Sequence, residues 1–205
     1  MIKNLVFSGG GIKCISFIGV LKYLEENNIL DNVEQVAGSS GGAIFGLMVV
    51  LGYSAEDLRQ LVIGLNFEDL RDISSENVFK FFNNFGVDTG NKFTQLLKLL
   101  IKKKIGENQE NITFKELLEK TGKNFIVTGT CLNSNSAEYF NAESTPDMCV
   151  ITALRISFSI PIVFNRVLLN DLTYIDGGVV DNFPINLFKQ NIDETLGFYI
   201  KGNKD

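Results

Sequence analysis

The stretch VAGSSGGAIF, Val36 to Phe45, places two adjacent serines among three glycines, between two apolar runs. The run Val33 to Ala37 is short and predicts a strand, while the run after the glycines, about Gly41 to Leu51, is long enough for a helix. Gly38-Ser39-Ser40-Gly41-Gly42 between them fits G-x-S-x-G with Ser40 at its centre. In that motif the serine occupies a strained strand-to-helix turn that lifts its hydroxyl above the sheet, and small flanking residues let the backbone turn sharply. The turn also aims the first amides of the following helix, and its dipole, at the place where an oxyanion would form. Taken alone, the same five residues equally suit a small-residue turn that only lets strand and helix pack closely.

The opening LVFSGGGIK, Leu5 to Lys13, repeats the arrangement. Leu5 to Ser8 predicts a strand, Gly9-Gly10-Gly11 a turn, and the spacing of Ile15, Ile18, Leu21 and Leu24 a helix over Ile12 to Asn27. Two strand-turn-helix units in succession predict an α/β fold, with a mainly parallel central sheet and helices on both faces. A dinucleotide fingerprint fails here. Cys14 stands where G-x-G-x-x-G needs its third small residue, and no ribose-binding acid closes a second strand nearby. The three glycines serve equally well as a nest of backbone amides for an anion, with Lys13 adding positive potential.

Further along, Ser54 to Asp57 and Thr113 to Glu116 open helices, the second with a capping box. An amphipathic run covers Phe93 to Lys104, and strands are expected at Phe125 to Leu132 and Ala137 to Phe140. A helix through Ile151 to Ser157 stops ahead of Pro161, and strands follow at Leu172 to Ile175 and Thr195 to Ile200. With no repeat or linker to divide them, the 205 residues read as a single domain, 1–205.

A net charge of -5 and a pI near 4.9 argue against a nucleic-acid partner. The glycines at 9 to 11 interrupt any signal-peptide core, and the longest apolar stretch, Ala43 to Tyr53, is too short to span a bilayer. Cys14, Cys131 and Cys149 show neither metal-ligand nor C-x-x-C spacing, which implies a reducing, cytoplasmic setting. The most informative count is zero: the chain has no histidine. That removes the Ser-His-Asp triad, the Cys-His pair and the histidine-based zinc helix together. Acid-base chemistry then falls to carboxylates, lysines, tyrosines or cysteines.

A serine hydroxyl needs a base to become a nucleophile. Asp176, in Ile175-Asp176-Gly177-Gly178, is the best placed: it closes a predicted strand, and the glycines leave room around it. Asp-Gly is also a common turn dipeptide, and Asp181 is the nearest competitor.

GGGIK, GSSGG, the segment Ser157-Phe158-Ser159-Ile160-Pro161 and DGG, in that order, resemble the patatin-like phospholipases, from the first strand to just past Asn186. The resemblance implies a three-layer sandwich and a serine lipid acyl hydrolase of phospholipase A or lysophospholipase type, whose Ser-Asp dyad accounts for the missing histidine. It assigns Ser40 as nucleophile and Asp176 as general base and acid. The amides of Gly9, Gly10, Gly11 and Gly41 would form the oxyanion hole, with Lys13, Gly38, Gly42, Gly177 and Gly178 in support. It also implies a glycerophospholipid or other acyl-ester substrate, contact with a lipid surface at the membrane periphery, and no cofactor or metal. Two residues depart from the family pattern: Lys13 replaces the more frequent arginine, and Cys14 the usual glycine. Neither change removes a catalytic group.

Two other readings suit the same residues less well. A general carboxylesterase or thioesterase would act on soluble acyl compounds with no gain at a lipid interface. A lipid-binding protein without activity would have no chemical need for Ser40, Asp176 and three glycines together. The phenylalanines at 79, 81, 82, 85 and 93 suit an acyl groove or a core, and the lysine-rich run Phe93 to Lys104 suits a core-facing helix or a lipid-docking one.

Overall fold

A computed structural model describes residues 1–73 and 85–202. Its strands are β1 (Asn4–Phe7), β2 (Gln35–Ser39), β3 (Gly86–Asp88), β4 (Asn124–Cys131), β5 (Ser136–Phe140), β6 (Ile162–Phe164), β7 (Val167–Leu169), β8 (Leu172–Asp176) and β9 (Thr195–Phe198). The α-helices are α1 (Phe17–Glu26), α2 (Gly41–Val50), α3 (Ala55–Gly64), α4 (Asn91–Ile105), α5 (Phe114–Thr121) and α6 (Val150–Ser157).

The centre of the sheet is parallel, in the order β9-β1-β2-β4, as the two strand-turn-helix units require. Beyond it the sheet turns antiparallel: β5 and β8 both pair with β4, and β7 pairs with β8. Because β5 lies along Val127 to Cys131 of β4, the opposite edge of β4 is shared, by β2 along Asn124 to Thr128 and by β8 along Gly129 to Cys131. A separate two-stranded parallel ribbon joins β3 to β6.

Strand residues alternate between two unequal cores. Leu5, Phe7, Val36, Phe125 and Val127 point into the large one, which also takes in buried residues of all six helices. Val6, Ala37 and Ile126 point the other way and meet Phe188. This second face is covered by a 3-10 segment, Ile185–Glu194, with a kink inside it. Burial on both faces gives the parallel strands their nearly continuous apolar character.

Helix α2 is buried all round, with Leu47 fully covered, so it needs no polar stripe. Complete burial of such a leucine contributes roughly 1.5–3 kcal/mol. At its start, a Cβ on Gly42 would lie 2.4 Å from the carbonyl oxygens of Phe7 and Ser8, so only glycine lets this helix sit against the end of β1.

Reciprocal capping boxes start α3, between Ser54 and Asp57, and α5, between Thr113 and Glu116. The continuous helix expected from Ile12 to Asn27 is split. A 3-10 turn over Gly11–Ser16, entered through a left-handed Gly11, precedes α1, and such tight turns are frequent at helix starts. The phenylalanines at 79, 81 and 82 lie outside the described residues. Among those described, no helix is long and apolar enough to cross a membrane.

Candidate active site

Ser40 stands between the end of β2 and the start of α2, at φ 52° and ψ -128°. A positive φ is uncommon for any residue but glycine and costs of order 1–3 kcal/mol unless the surroundings enforce it. They do so here through the flanking glycines. A Cβ on Gly38 would lie 2.6 Å from the carbonyl of Gly42, so the two glycines of G-x-S-x-G touch each other beneath the turn.

Asp176 arrives from the opposite direction. Ser39, at the end of β2, is paired with Thr128, and Asp176, at the end of β8, with the next residue, Gly129. The two strands therefore run toward each other along one edge of β4, and their ends meet. The Ser40 hydroxyl donates to Asp176 Oδ2 at 2.6 Å, across 136 residues of sequence. Both residues are 5% exposed. The other carboxylate oxygen, Oδ1, accepts from the amide of Gly178 at 2.7 Å. Gly177 lies so close to β4 that a Cβ would sit 2.2 Å from the carbonyl oxygen of Thr128.

Burial pushes the Asp176 carboxyl up to about 6, with the hydrogen bonds from Ser40 and Gly178 pulling the other way. This suits a group that must take a proton and return it. Asp181 is engaged elsewhere: it accepts from the Tyr139 hydroxyl at 2.8 Å and from the amide of Phe183 at 3.3 Å.

The glycine loop borders the same cleft. Gly9, Gly10, Gly11, Ser40, Asp176, Gly178 and Asn182 line it, beside Ile160 and Pro161. The amide of Gly9 is already committed, donating to the carbonyl of Asn182 at 3.0 Å. That removes Gly9 from the expected set of oxyanion donors and makes it an anchor of the loop. The amides of Gly10, Gly11 and Gly41 donate to no acceptor among the described residues. Lys13 is exposed and borders neither the cleft nor the cavity described next. Cys14 is buried against Gly41, its thiol pushed up to about 12 by burial and by the charge of Asp176, which keeps it protonated.

On its other side Ser40 opens onto a cavity of about 320 Å³ with an almost wholly apolar wall, including Ile44, Phe45, Leu61, Phe93 and Leu97. Cleft and cavity share Gly11, Ser40 and Ile160, so the hydroxyl sits at their junction. Phe93 belongs to α4 and Leu97 is buried, so this part of the Phe93 to Lys104 run faces the core and the cavity. Among the described residues no cluster of histidine, cysteine or carboxylate side chains could hold a metal ion.

Two contacts escaped the sequence reading. The amide of Ser40 donates to Ser157 Oγ at 2.9 Å, and the amide of Asp176 donates to the carbonyl of Ser159 at 3.0 Å. Ser157 and Ser159 were visible as part of a motif, but nothing local said what they would touch. Asn182, which also donates to the carbonyl of Gly9 at 3.3 Å, gave no signal at all.

The model of the patatin-like phospholipase family matches residues 5–189. The chain belongs to that family. Among curated relatives, the uncharacterized protein R571 of Acanthamoeba polyphaga mimivirus is 32% identical over 197 residues, covering 96% of this chain and 64% of that one. The probable lipid hydrolase 463L of Invertebrate iridescent virus 6 is 31% identical over 188 residues, covering 90% and 62%. The patatin-like chain thus spans slightly under two thirds of the length of these relatives. In fold it is similar to VipD from Legionella pneumophila, with a TM-score of 0.71 at 19% identity over 96% of this chain and 49% of that one. The mixed sheet flanked by helices is therefore the patatin-like fold.

Proposed function

We propose that this patatin-like protein is a serine lipid acyl hydrolase that cleaves fatty acyl esters of glycerolipids through a Ser40-Asp176 dyad. The observation that carries the reading is the 2.6 Å bond from Ser40 Oγ to Asp176 at the mouth of an apolar cavity. The acyl chain would lie in the cavity, which leaves the alcohol portion of the ester toward the glycine-lined cleft. The probable lipid hydrolase 463L among the relatives supports this choice of substrate class.

Ser40 Oγ attacks the ester carbonyl carbon as its proton passes to Asp176 Oδ2. Aspartate is a weak base for a serine hydroxyl, so the transfer accompanies attack and does not precede it. The amides of Gly10, Gly11 and Gly41 receive the oxyanion, where one lost donor typically costs roughly 2.7–4 kcal/mol of transition-state stabilisation. The intermediate collapses as Asp176 returns the proton to the departing alcohol. A water then attacks the acyl-serine carbonyl as its proton passes to Asp176, and Asp176 returns that proton to Ser40 Oγ as the acyl–Oγ bond breaks and the fatty acid leaves. Alcohol leaving groups suit this dyad because they need less acid assistance than amines.

The test is mass-spectrometric measurement of fatty acid and lysolipid released from phosphatidylcholine and phosphatidylglycerol vesicles, by wild type and by Ser40→Ala. Release by wild type alone supports the reading. Equal release by both proteins, or hydrolysis of soluble short-chain esters with none from vesicles, contradicts it.

A further inference from the structure

We propose that the segment Arg155 to Ser159 is a positioning bracket for the dyad, in which Ser157 fixes the backbone of the nucleophile. This rests on the acyl-hydrolase reading above.

The amide of Ser40 has no acceptor in the regular structure around it. β2 ends at Ser39 and α2 begins at Gly41, so the N–H of Ser40 lies at the junction and belongs to neither. Ser157 Oγ, on the last residue of α6 and fully buried, supplies the acceptor at 2.9 Å. A buried N–H without a partner carries a desolvation penalty, so this bond holds the Ser39–Ser40 peptide plane from which the Ser40 side chain projects. A tilt of that plane would swing Oγ away from Asp176.

Two residues on, the carbonyl of Ser159 holds the amide of Asp176 at 3.0 Å. Both members of the dyad are therefore referenced to a single turn. Arg155 stiffens that turn. Its guanidinium donates to Ser159 Oγ at 2.6 Å, to the carbonyl of Thr89 at 2.8 and 3.1 Å, and to the carbonyl of Asn165 at 2.8 Å. Ser159 Oγ donates back to the carbonyl of Arg155 at 2.5 Å. The turn is thus tied to the residues that immediately follow β3 and β6.

Ser157 touches neither the cleft nor the cavity wall, so its loss should act on attack and not on substrate binding. The pH dependence should move as well. The hydrogen bond from Ser40 favours ionised Asp176, and loosening it raises the carboxyl further. The groups facing that carboxyl are the Ser40 hydroxyl, the Gly178 amide and the Cys14 thiol, which stays protonated throughout the working range.

The experiment compares wild type, Ser40→Ala, Ser157→Ala and Ile101→Val, the last a conservative change in a fully buried residue of α4 that lines neither the cleft nor the cavity. For Ser157→Ala the expected results are a fall in kcat of about 10- to 100-fold with KM little changed, and an acid limb shifted to higher pH. Ile101→Val should keep the wild-type kcat and pH profile even if its Tm falls as far. Hydrogen exchange of the Ser40 amide, followed by NMR, should accelerate in Ser157→Ala and not in Ile101→Val.

Wild-type kcat in Ser157→Ala, a loss confined to KM, or unchanged exchange at Ser40 would overturn the bracket. A wild type no faster than Ser40→Ala would instead refute the acyl-hydrolase reading, and the exchange measurement would then decide by itself whether Ser157 fixes Ser40.

Discussion

Ser39 and Asp176 are paired with consecutive residues of one strand, Thr128 and Gly129, from the same edge of β4. A parallel strand and an antiparallel one thus converge end to end, and the hydrogen bond from Ser40 to Asp176 forms where they meet. The separation of Ser40 from Asp176 is set by strand register, the most strongly specified parameter of a sheet with both faces buried. Loop flexibility has little say in it.

Gly177 is where this register is most exposed to challenge. With a Cβ position 2.2 Å from the carbonyl oxygen of Thr128, Gly177→Ala must separate β8 from β4. Activity should fall at least about 100-fold, since a displacement near 1 Å is enough for that. Chemical denaturation should show a stability loss of more than about 1 kcal/mol. Near-native activity would mean that the register does not control the dyad.

Asp176→Asn should abolish turnover and yet stabilise the fold at neutral pH. The folded-state pKa of Asp176 is raised to about 6 from an ordinary 3.8, so its ionisation opposes folding as pH rises through that window. At pH 7 the penalty is about 3 kcal/mol, and it vanishes below the unfolded-state value. Urea unfolding of both proteins at pH 7 and at the lowest pH that keeps them folded would measure it. An asparagine variant that is less stable at pH 7 would contradict the assignment.

The same shift fixes the acid limb of the rate. Only ionised Asp176 can accept the serine proton, so kcat/KM for a soluble ester should rise as a single ionisation centred near pH 6. A limb centred near the ordinary aspartate value would point to a different base.

The cavity makes a prediction about substrate length. Ile18 on α1 lines it, and Ile18→Trp would fill much of its volume of about 320 Å³. Hydrolysis of a long-chain ester should drop while that of an acetate ester is preserved, as measured with a series of p-nitrophenyl esters. Parallel losses on both would mean that the acyl chain lies elsewhere.

Much of this was legible in local sequence. Each glycine cluster lay between an apolar run of strand length and one of helix length, which was enough for the parallel centre of the sheet. The absence of histidine narrowed the candidate base to a few residue types, and IDGG pointed to Asp176, the carboxylate that the Ser40 hydroxyl meets. Ser54 and Thr113, the second with a capping box, marked two helix starts to the residue.

What escaped was non-local or very short. β3, β6 and β7 are three residues each, too short to show a period. The commitment of the Gly9 amide to Asn182, and of the Ser40 amide to Ser157, depends on chain segments more than a hundred residues away. No spacing rule reaches that far.

The most direct test of the dyad is covalent labelling with a fluorophosphonate, read by peptide mass spectrometry on folded wild type and Ser40→Ala. The expected result is one adduct on Ser40 in the wild type and none in the variant. An unlabelled wild type, or an adduct on any other serine, would contradict an activated Ser40.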